Sequence, residues 1–131
     1  AIAIGKHIKI CDTHLMSTYA IVIAEDDPLQ RRTVRRMLEA KLPVEIIEAV
    51  DGNSALEYFR EDISRRIRLC LLDLNMPGID GMMVMDQAKK IAPHIPFIVL
   101  TGSERVQDAV EAMRLGATDF ITKPAQPERL I

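Results

Sequence analysis

The chain has 131 residues, of which 48% are hydrophobic, and its formal net charge is −2. This length suits one globular domain with a buried core, and the weak negative charge without a basic run argues against direct nucleic acid binding by this segment. No apolar stretch approaches the ~20 residues of a membrane-spanning helix, so we expect a soluble domain without a membrane partner.

The first 17 residues do not share the regular pattern that follows. They contain Gly5, Cys11 and two of the three histidines, without a clear amphipathic period. Residues 1–17 are interpreted as a leader or a flexible arm, and Met16 is a candidate natural start. Cys11 and Cys70 form neither a disulfide framework nor a metal-ligand set, and Cys70 is expected to be buried. Their scarcity fits a reducing, cytoplasmic location.

From Tyr19 onward, short apolar runs alternate with amphipathic segments. The runs predict five strands at 19–24, 44–49, 69–73, 97–101 and 118–122. Alternation of strands and helices favours an α/β fold, with a parallel sheet, helices on both faces and right-handed crossovers. No glycine-rich phosphate-binding motif follows any strand, which argues against the usual dinucleotide and nucleoside-triphosphate sites.

The segments between the strands predict four helices. Asp27 is the expected cap of the first, with Pro28 at its first position and Gln30 completing a capping box, and this helix runs to about Lys41. Ser103 is the expected cap of the fourth helix and Gly116 its end. A fifth helix can barely begin before Ile131.

Helical spacing also predicts which side chains face the core. These are Leu29, Val34, Met37 and Leu38 in the first helix, Ala55, Leu56, Phe59 and Ile63 in the second, Met82, Met85, Ala88 and Ile91 in the third, and Val106, Ala109, Val110 and Met113 in the fourth. The arginines of the first helix are interpreted as its solvated face: Arg31, Arg32, Arg35 and Arg36.

Acidic, hydroxyl and ammonium side chains come at the carboxyl ends of the predicted strands. Glu25 and Asp26 follow the first strand, Asp73 ends the third, Thr101 ends the fourth, and Lys123 follows the fifth. If these strands are neighbours, all five side chains share one small site, because the carboxyl ends of parallel strands meet at one edge. The alternative is that each acid is a turn former or helix cap and that the lysine is solvated. We assign the role of helix cap to Asp27.

Three carboxylates packed together repel one another, so the predicted site calls for a divalent cation. Oxygen ligands without histidine or cysteine suit Mg²⁺ (or Mn²⁺), which completes its coordination with water and phosphate oxygens. Asp73 is then a candidate nucleophile that forms an aspartyl phosphate. The cation and Lys123 would stabilise the phosphoryl oxygens, and Thr101 would donate a hydrogen bond to the product.

Four segments together carry a family resemblance: IVIAEDDP (21–28), LLDLNMPGIDG (71–81), IVLTG (98–102) and GATDFITKP (116–124). The chain resembles the receiver domain of bacterial two-component response regulators from Tyr19 to about Leu130. The resemblance implies a flavodoxin-like (CheY-like) fold, a doubly wound five-stranded parallel sheet in the order 2-1-3-4-5 with five helices. Residues 18–131 would form the receiver domain, truncated at its last helix.

The resemblance also assigns chemical roles. Asp73 matches the phosphoacceptor, which takes its phosphoryl group from a phosphohistidine. Glu25 and Asp26 match the acidic pair that positions Mg²⁺, although Glu25 stands where aspartate is commoner. Asn75 matches the residue whose backbone carbonyl binds the metal, and Lys123 matches the ammonium that pairs with the phosphate.

A second group of residues matches the family's switch. Thr101 matches the hydroxyl that senses the phosphate, and Phe120 matches the aromatic side chain that changes rotamer. Lys123–Pro124 matches a cis peptide bond, which is accessible before proline. Asn75 and Ser103 match positions that influence phosphate hydrolysis.

The partners implied are a sensor histidine kinase or phosphotransfer protein and an effector domain beyond Ile131. A homodimer through the face of the fourth helix and fifth strand is a further option. The expected function is a phosphoacceptor signalling domain rather than an enzyme, limited to self-catalysed phosphotransfer and dephosphorylation. Three alternatives remain: a Mg²⁺-dependent phosphatase, an adaptor that works without phosphate, and a flavodoxin-type nucleotide binder.

Overall fold

A computed structural model describes residues 19–76, 80–102 and 105–131, together with Ile4. The strands are β1 (Ala20–Ala24), β2 (Glu45–Ala49), β3 (Ile67–Asp73), β4 (Phe97–Thr101) and β5 (Asp119–Thr122). The helices are α1 (Pro28–Lys41), α2 (Gly52–Glu61), α3 (Gly81–Ile91), α4 (Val106–Arg114) and α5 (Pro127–Leu130). The five strands form one sheet in the order β2-β1-β3-β4-β5, and all their pairings are parallel. The predicted fold and strand order are therefore confirmed.

The sheet is covered on both faces, because right-handed crossovers place α1 on one side and α2, α3 and α4 on the other. One core contains Phe59, Met85 and Ala112 from the three helices, packed on alternate strand residues. The other contains Val34 and Leu38 of α1 packed on the remaining strand residues. β1, β3 and β4 are buried on both faces, which explains their nearly unbroken apolar sequences. In the described part of the chain, no helix has the length and apolar character needed to cross a membrane.

The predicted core-facing stripe is wrong for α4. Val106, Val110 and Met113 are exposed, and Ala112 is the residue that is buried. Ala112 turns its small side chain into the core where α4 packs against the short strand β5, and the larger side chains lie on the solvent side of the helix. An apolar stripe of Val106, Val110 and Met113 therefore faces solvent. We call these three residues the α4 patch.

Two further apolar residues also lie outside the core. Leu29, in the first turn of α1, is 74% exposed because this turn extends past the sheet edge. Ile63 is 92% exposed because α2 ends at Glu61, so the residue no longer continues the helical stripe. Most other core predictions for α1, α2 and α3 hold, with Leu38, Phe59 and Met85 buried.

The helix ends follow their sequence signals in part. The Asp27 side chain accepts hydrogen bonds from the backbone N–H groups of Leu29 and Gln30, which confirms the cap. The Gln30 amide does not close a capping box, because its nitrogen donates to the Asp27 carboxylate instead of its oxygen accepting from the cap backbone. Gly116, with φ of 101°, ends α4 as predicted. The capping position of α4 is Arg105, and Ser103 lies outside the described residues.

Ile4 is packed into the core on the α1 face. Its side chain is fully buried, and its backbone N–H donates a hydrogen bond to the carbonyl oxygen of Leu130 at 2.9 Å. The rest of the segment predicted as a leader or arm lies outside the described residues, so that interpretation stays a prediction.

We expect Ile4→Ala to lower the free energy of unfolding by about 2–4 kcal/mol, because it removes buried methyl and methylene groups. Urea unfolding followed by circular dichroism measures the change. Ile63→Ala is the matched control, since the Ile63 side chain is 92% exposed. Equal unfolding midpoints for the two variants would contradict the packing of Ile4.

Candidate functional site

Three carboxylates converge at the carboxyl edge of the sheet. Glu25 and Asp73 are buried, Asp26 is exposed, and one oxygen from each lies within 4.8 Å of the others. The pairing of β1 with β3 explains the approach, because Ala24 is in register with Leu72 and the next residues are Glu25 and Asp73. The strand pattern of the sequence therefore brings the predicted acids together.

Lys123 reaches this acidic cluster from the end of β5. Its Nζ donates to Glu25 Oε1 at 2.6 Å and to Gln30 Oε1 at 2.7 Å, and it lies 3.4 Å from Asp73 Oδ2. The Lys123 backbone N–H donates to the carbonyl oxygen of Thr101 at 2.7 Å, and the Lys123–Pro124 bond is cis, as the resemblance implies. The ammonium thus neutralises part of the carboxylate charge.

Burial changes the protonation of Glu25. Loss of contact with water, together with a hydrogen bond shared with Asp73, raises the pKa of this carboxyl from 4.5 to about 7. The hydrogen bond from Lys123 opposes the shift but does not cancel it. The raised pKa favours the protonated form of Glu25 in the metal-free pocket.

The other predicted site residues that the structure describes lie on β4 and β5 and in the loop after β3. Thr101 is fully buried at the end of β4. Phe120, paired in register with Val99, is half-buried and packs against the core. The backbone N–H of Asn75 donates to Asp73 Oδ1 at 3.1 Å, so the loop after β3 folds back on the acceptor carboxylate. Ser103 lies outside the described residues.

Gly81 allows the start of α3 to approach the end of β3. A Cβ atom added at this position would lie 2.8 Å from Leu74 Cα and 2.9 Å from the Asp73 carbonyl oxygen. Those backbone atoms cannot easily move aside, so only glycine fits without displacing the residue that carries the acceptor carboxylate.

Two polar residues at the site were not predicted from the sequence. Gln30, expected in a capping box, instead accepts a hydrogen bond from Lys123. Arg31, expected on a solvated face, is only 13% exposed and pairs with Glu48 of β2. The sequence did contain a signal for this ion pair: two arginines four residues apart in α1 and a glutamate near the end of the strand that follows.

The cluster forms the polar end of an open cleft of about 620 Å³ beside α1. Glu25, Asp73 and Lys123 line this end, and apolar residues such as Met37 and Leu100 line the rest. A charged donor group can therefore reach Asp73 from solvent.

The donor set fits a divalent cation with a preference for oxygen. Glu25, Asp26 and Asp73 each place one carboxylate oxygen within 4.8 Å of the others, so these oxygens are close enough to converge on one ion. Histidine and cysteine ligands are absent from this cluster, which argues against zinc. Glu25, Asp26 and Asp73 would hold the metal.

A family model for the response regulator receiver domain matches residues 21–131. The chain belongs to this family. Receiver domains of two-component systems are signalling domains that interact with histidine kinases and output domains, and phosphorylation and Mg²⁺ binding in an acidic pocket are typical of them. The resemblance stated from the sequence is therefore confirmed at the level of the family.

Similar proteins support this assignment. The chain is 34% identical over 118 residues to the probable transcriptional regulator ycf27 of Porphyridium aerugineum. The aligned region covers 88% of this chain and 46% of that protein. The match to ArcA of Escherichia coli also covers 46% of that protein. The chain thus spans somewhat less than half the length of these curated relatives.

Solved structures agree with the fold. The Mn²⁺-bound form of response regulator Rcp1 has a TM-score of 0.71 at 29% identity, covering 82% of this chain and 83% of that one. The phosphorylated cyanobacterial phytochrome response regulator RcpA has a TM-score of 0.72 at 30% identity, covering 84% of each chain.

In the absence of divalent cations, Glu25 should make the stability of this receiver domain depend on pH. Because the pKa is about 7 in the folded chain and 4.5 when unperturbed, the stabilisation is complete below pH 4.5 and is lost as pH rises through 7. The full loss is at most about 3 kcal/mol. Urea unfolding in EDTA between pH 5 and 8 measures how the free energy of unfolding changes with pH. Glu25→Gln should lack the part of this change that comes from Glu25. If the free energies of the two proteins change with pH in the same way, the raised pKa is contradicted.

Proposed function

We propose that this receiver domain accepts a phosphoryl group on Asp73 in a reaction that requires Mg²⁺ (or Mn²⁺). The observation that carries the proposal is the position of Asp73, buried at a strand end between Lys123 and the acidic pair Glu25 and Asp26. The Mn²⁺-bound and phosphorylated states named for two similar structures are consistent with it.

In the proposed reaction, an Asp73 carboxylate oxygen attacks the phosphorus of a phosphohistidine. The P–N bond breaks, its electron pair returns to the imidazole, and an acyl phosphate forms on Asp73. A bound divalent ion would supply positive charge to the phosphoryl oxygens. Lys123, already 3.4 Å from Asp73 Oδ2, would pair with an oxygen of the transferred group.

Two further residues would contribute to metal binding and to the hydrolysis of the phosphate. The Asn75 backbone carbonyl would complete the protein ligands of the metal, since the Asn75 loop already folds against Asp73. The side chains of Asn75 and Ser103, each two residues beyond a site residue, would tune the rate of hydrolysis. The chemistry remains self-catalysed phosphotransfer and dephosphorylation on the domain's own Asp73.

Phosphorylation would then switch the surface next to α4. Thr101 would move its hydroxyl to the phosphate, and Phe120 would change rotamer into the vacated space. Both residues lie on β4 and β5, beside α4. The output would be altered affinity for an effector domain beyond Ile131, or for a second receiver domain through the α4 and β5 face. The phosphoryl donor would be a sensor histidine kinase or a phosphotransfer protein.

Asp73→Asn should abolish phosphorylation and leave the fold intact, because the amide is nearly the same size but is not a nucleophile. Intact mass and site mapping after incubation with acetyl phosphate, with Mg²⁺ or with EDTA, measure the product. Wild-type protein should gain one acid-stable, base-labile phosphoryl group on Asp73 only when Mg²⁺ is present.

Asp86→Asn is the matched control, since Asp86 is exposed on α3 and should not affect labelling. Labelling of Asp73→Asn at another residue would refute the assignment. No adduct on the wild type would favour an adaptor that works without phosphate, and sustained turnover of p-nitrophenyl phosphate would favour a phosphatase.

The α4 patch supports the proposed dimer contact, because Val106, Val110 and Met113 expose apolar surface that a partner can cover. Val110→Glu should weaken dimerisation of the beryllofluoride-treated domain about ten-fold or more, since it buries a charge in an apolar contact. Sedimentation equilibrium measures the dissociation constant. Met83→Glu is the control, because Met83 on α3 is 53% exposed and Val110 is 52% exposed. Equal effects of the two substitutions, or a monomeric activated wild type, would exclude this dimer face.

A further inference from the structure

Arg31 contacts the backbone of both acidic residues that follow β1. Its Nη1 donates to the carbonyl oxygen of Glu25 at 2.9 Å and makes a longer contact of 3.4 Å with the carbonyl oxygen of Asp26. Its Nε donates to Glu48 Oε1 at 2.9 Å. The Arg31 side chain is 13% exposed, so most of the guanidinium is shielded from water.

Glu48 holds the guanidinium in this orientation. It lies on β2, where it is paired in register with Ile23 of β1. Its backbone position is therefore fixed relative to Glu25 and Asp26, which we call the acidic loop. Its second oxygen accepts a hydrogen bond from Arg35 Nη1 at 2.7 Å. Both arginine contacts hold the pKa of Glu48 below its usual value, so the carboxylate stays charged.

We propose that Arg31 is a positioning residue for metal binding, which orients the carboxylates of Glu25 and Asp26 by fixing the backbone that carries them. This inference rests on the proposed function of the site. The guanidinium spreads its donors over a rigid planar fork, so Nε holds Glu48 while Nη1 reaches the loop carbonyls, a span that the compact ammonium of lysine does not reproduce. Because Glu48 compensates the charge of Arg31, the effect on the metal is chiefly geometric rather than electrostatic.

The simpler alternative is that Arg31 only ties α1 to β2 through an ion pair. Arg35 provides the comparison, since it makes an ion pair with the same Glu48 but is not among the residues that contact the acidic loop in the described structure. Arg35→Ala therefore removes an arginine–Glu48 pair and the exposed pair with Glu39, whereas Arg31→Ala removes an arginine–Glu48 pair together with the loop contacts.

Isothermal titration with Mg²⁺ distinguishes the two explanations. Arg31→Ala should raise the dissociation constant about ten-fold or more, as is usual when a residue that orients metal ligands is lost. Arg31→Lys should also weaken binding, although it retains the charge. Arg35→Ala should lower the melting temperature yet leave the dissociation constant within about two-fold of wild type.

A metal-free measurement gives an independent readout. The carbonyl carbon chemical shifts of Glu25 and Asp26 should change in both Arg31 variants and remain close to wild type in Arg35→Ala. If Arg31→Ala does not fold, Arg31→Lys decides both measurements.

The outcomes separate this inference from the proposed function. A wild-type domain that binds no Mg²⁺ overturns the proposed function and this inference together. A wild-type domain that binds Mg²⁺, with unchanged affinity in the Arg31 variants or an equal loss in Arg35→Ala, overturns the role of Arg31 alone.

Discussion

Repulsion among three carboxylates is the constraint on which the site depends. Parallel strands that end at one edge hold the oxygens of Glu25, Asp26 and Asp73 within 4.8 Å, and such crowding is costly unless the charges are compensated. Lys123 contributes one positive charge, and burial keeps a proton on Glu25 up to about pH 7. A divalent cation would offer more complete compensation of the charge than either.

The surrounding backbone keeps the carboxylates from separating to relieve this repulsion. Register with β3 fixes Glu25 beside Asp73, and Arg31 holds the loop carbonyls from the side of α1. Gly81 lets α3 pack closely against the carbonyl of Asp73. The backbone hydrogen bond from Lys123 to Thr101 fixes the chain that carries the lysine. The contacts come from four different elements, so the site exists only in the folded domain.

The sheet and the main site were predictable because they follow from strand pattern. Four of the five apolar runs end in, or directly before, a polar site residue, and parallel pairing places those ends together. The face of α4 was not predictable, because Ala112 and Met113 fit an apolar stripe almost equally well and only the packing of the folded chain distinguishes them. The contact of Arg31 was not predicted for a related reason. An arginine in α1 is expected to be solvated, and only the ion pair with Glu48 of β2 explains why its side chain is largely buried.

The weak attachment of α4 is relevant to the proposed switch. α3 buries four residues, including Val84 and Met85, whereas α4 buries only Ala112 among the residues that the structure describes. Swinging a two-state equilibrium from 1:99 to 99:1 requires about 5.5 kcal/mol of differential binding. A helix with little buried surface costs less to move, so the proposed switch would need less free energy at α4 than at a more deeply buried helix. Because Thr101 ends the strand that leads into α4, a displacement at the site acts on the least anchored of the long helices.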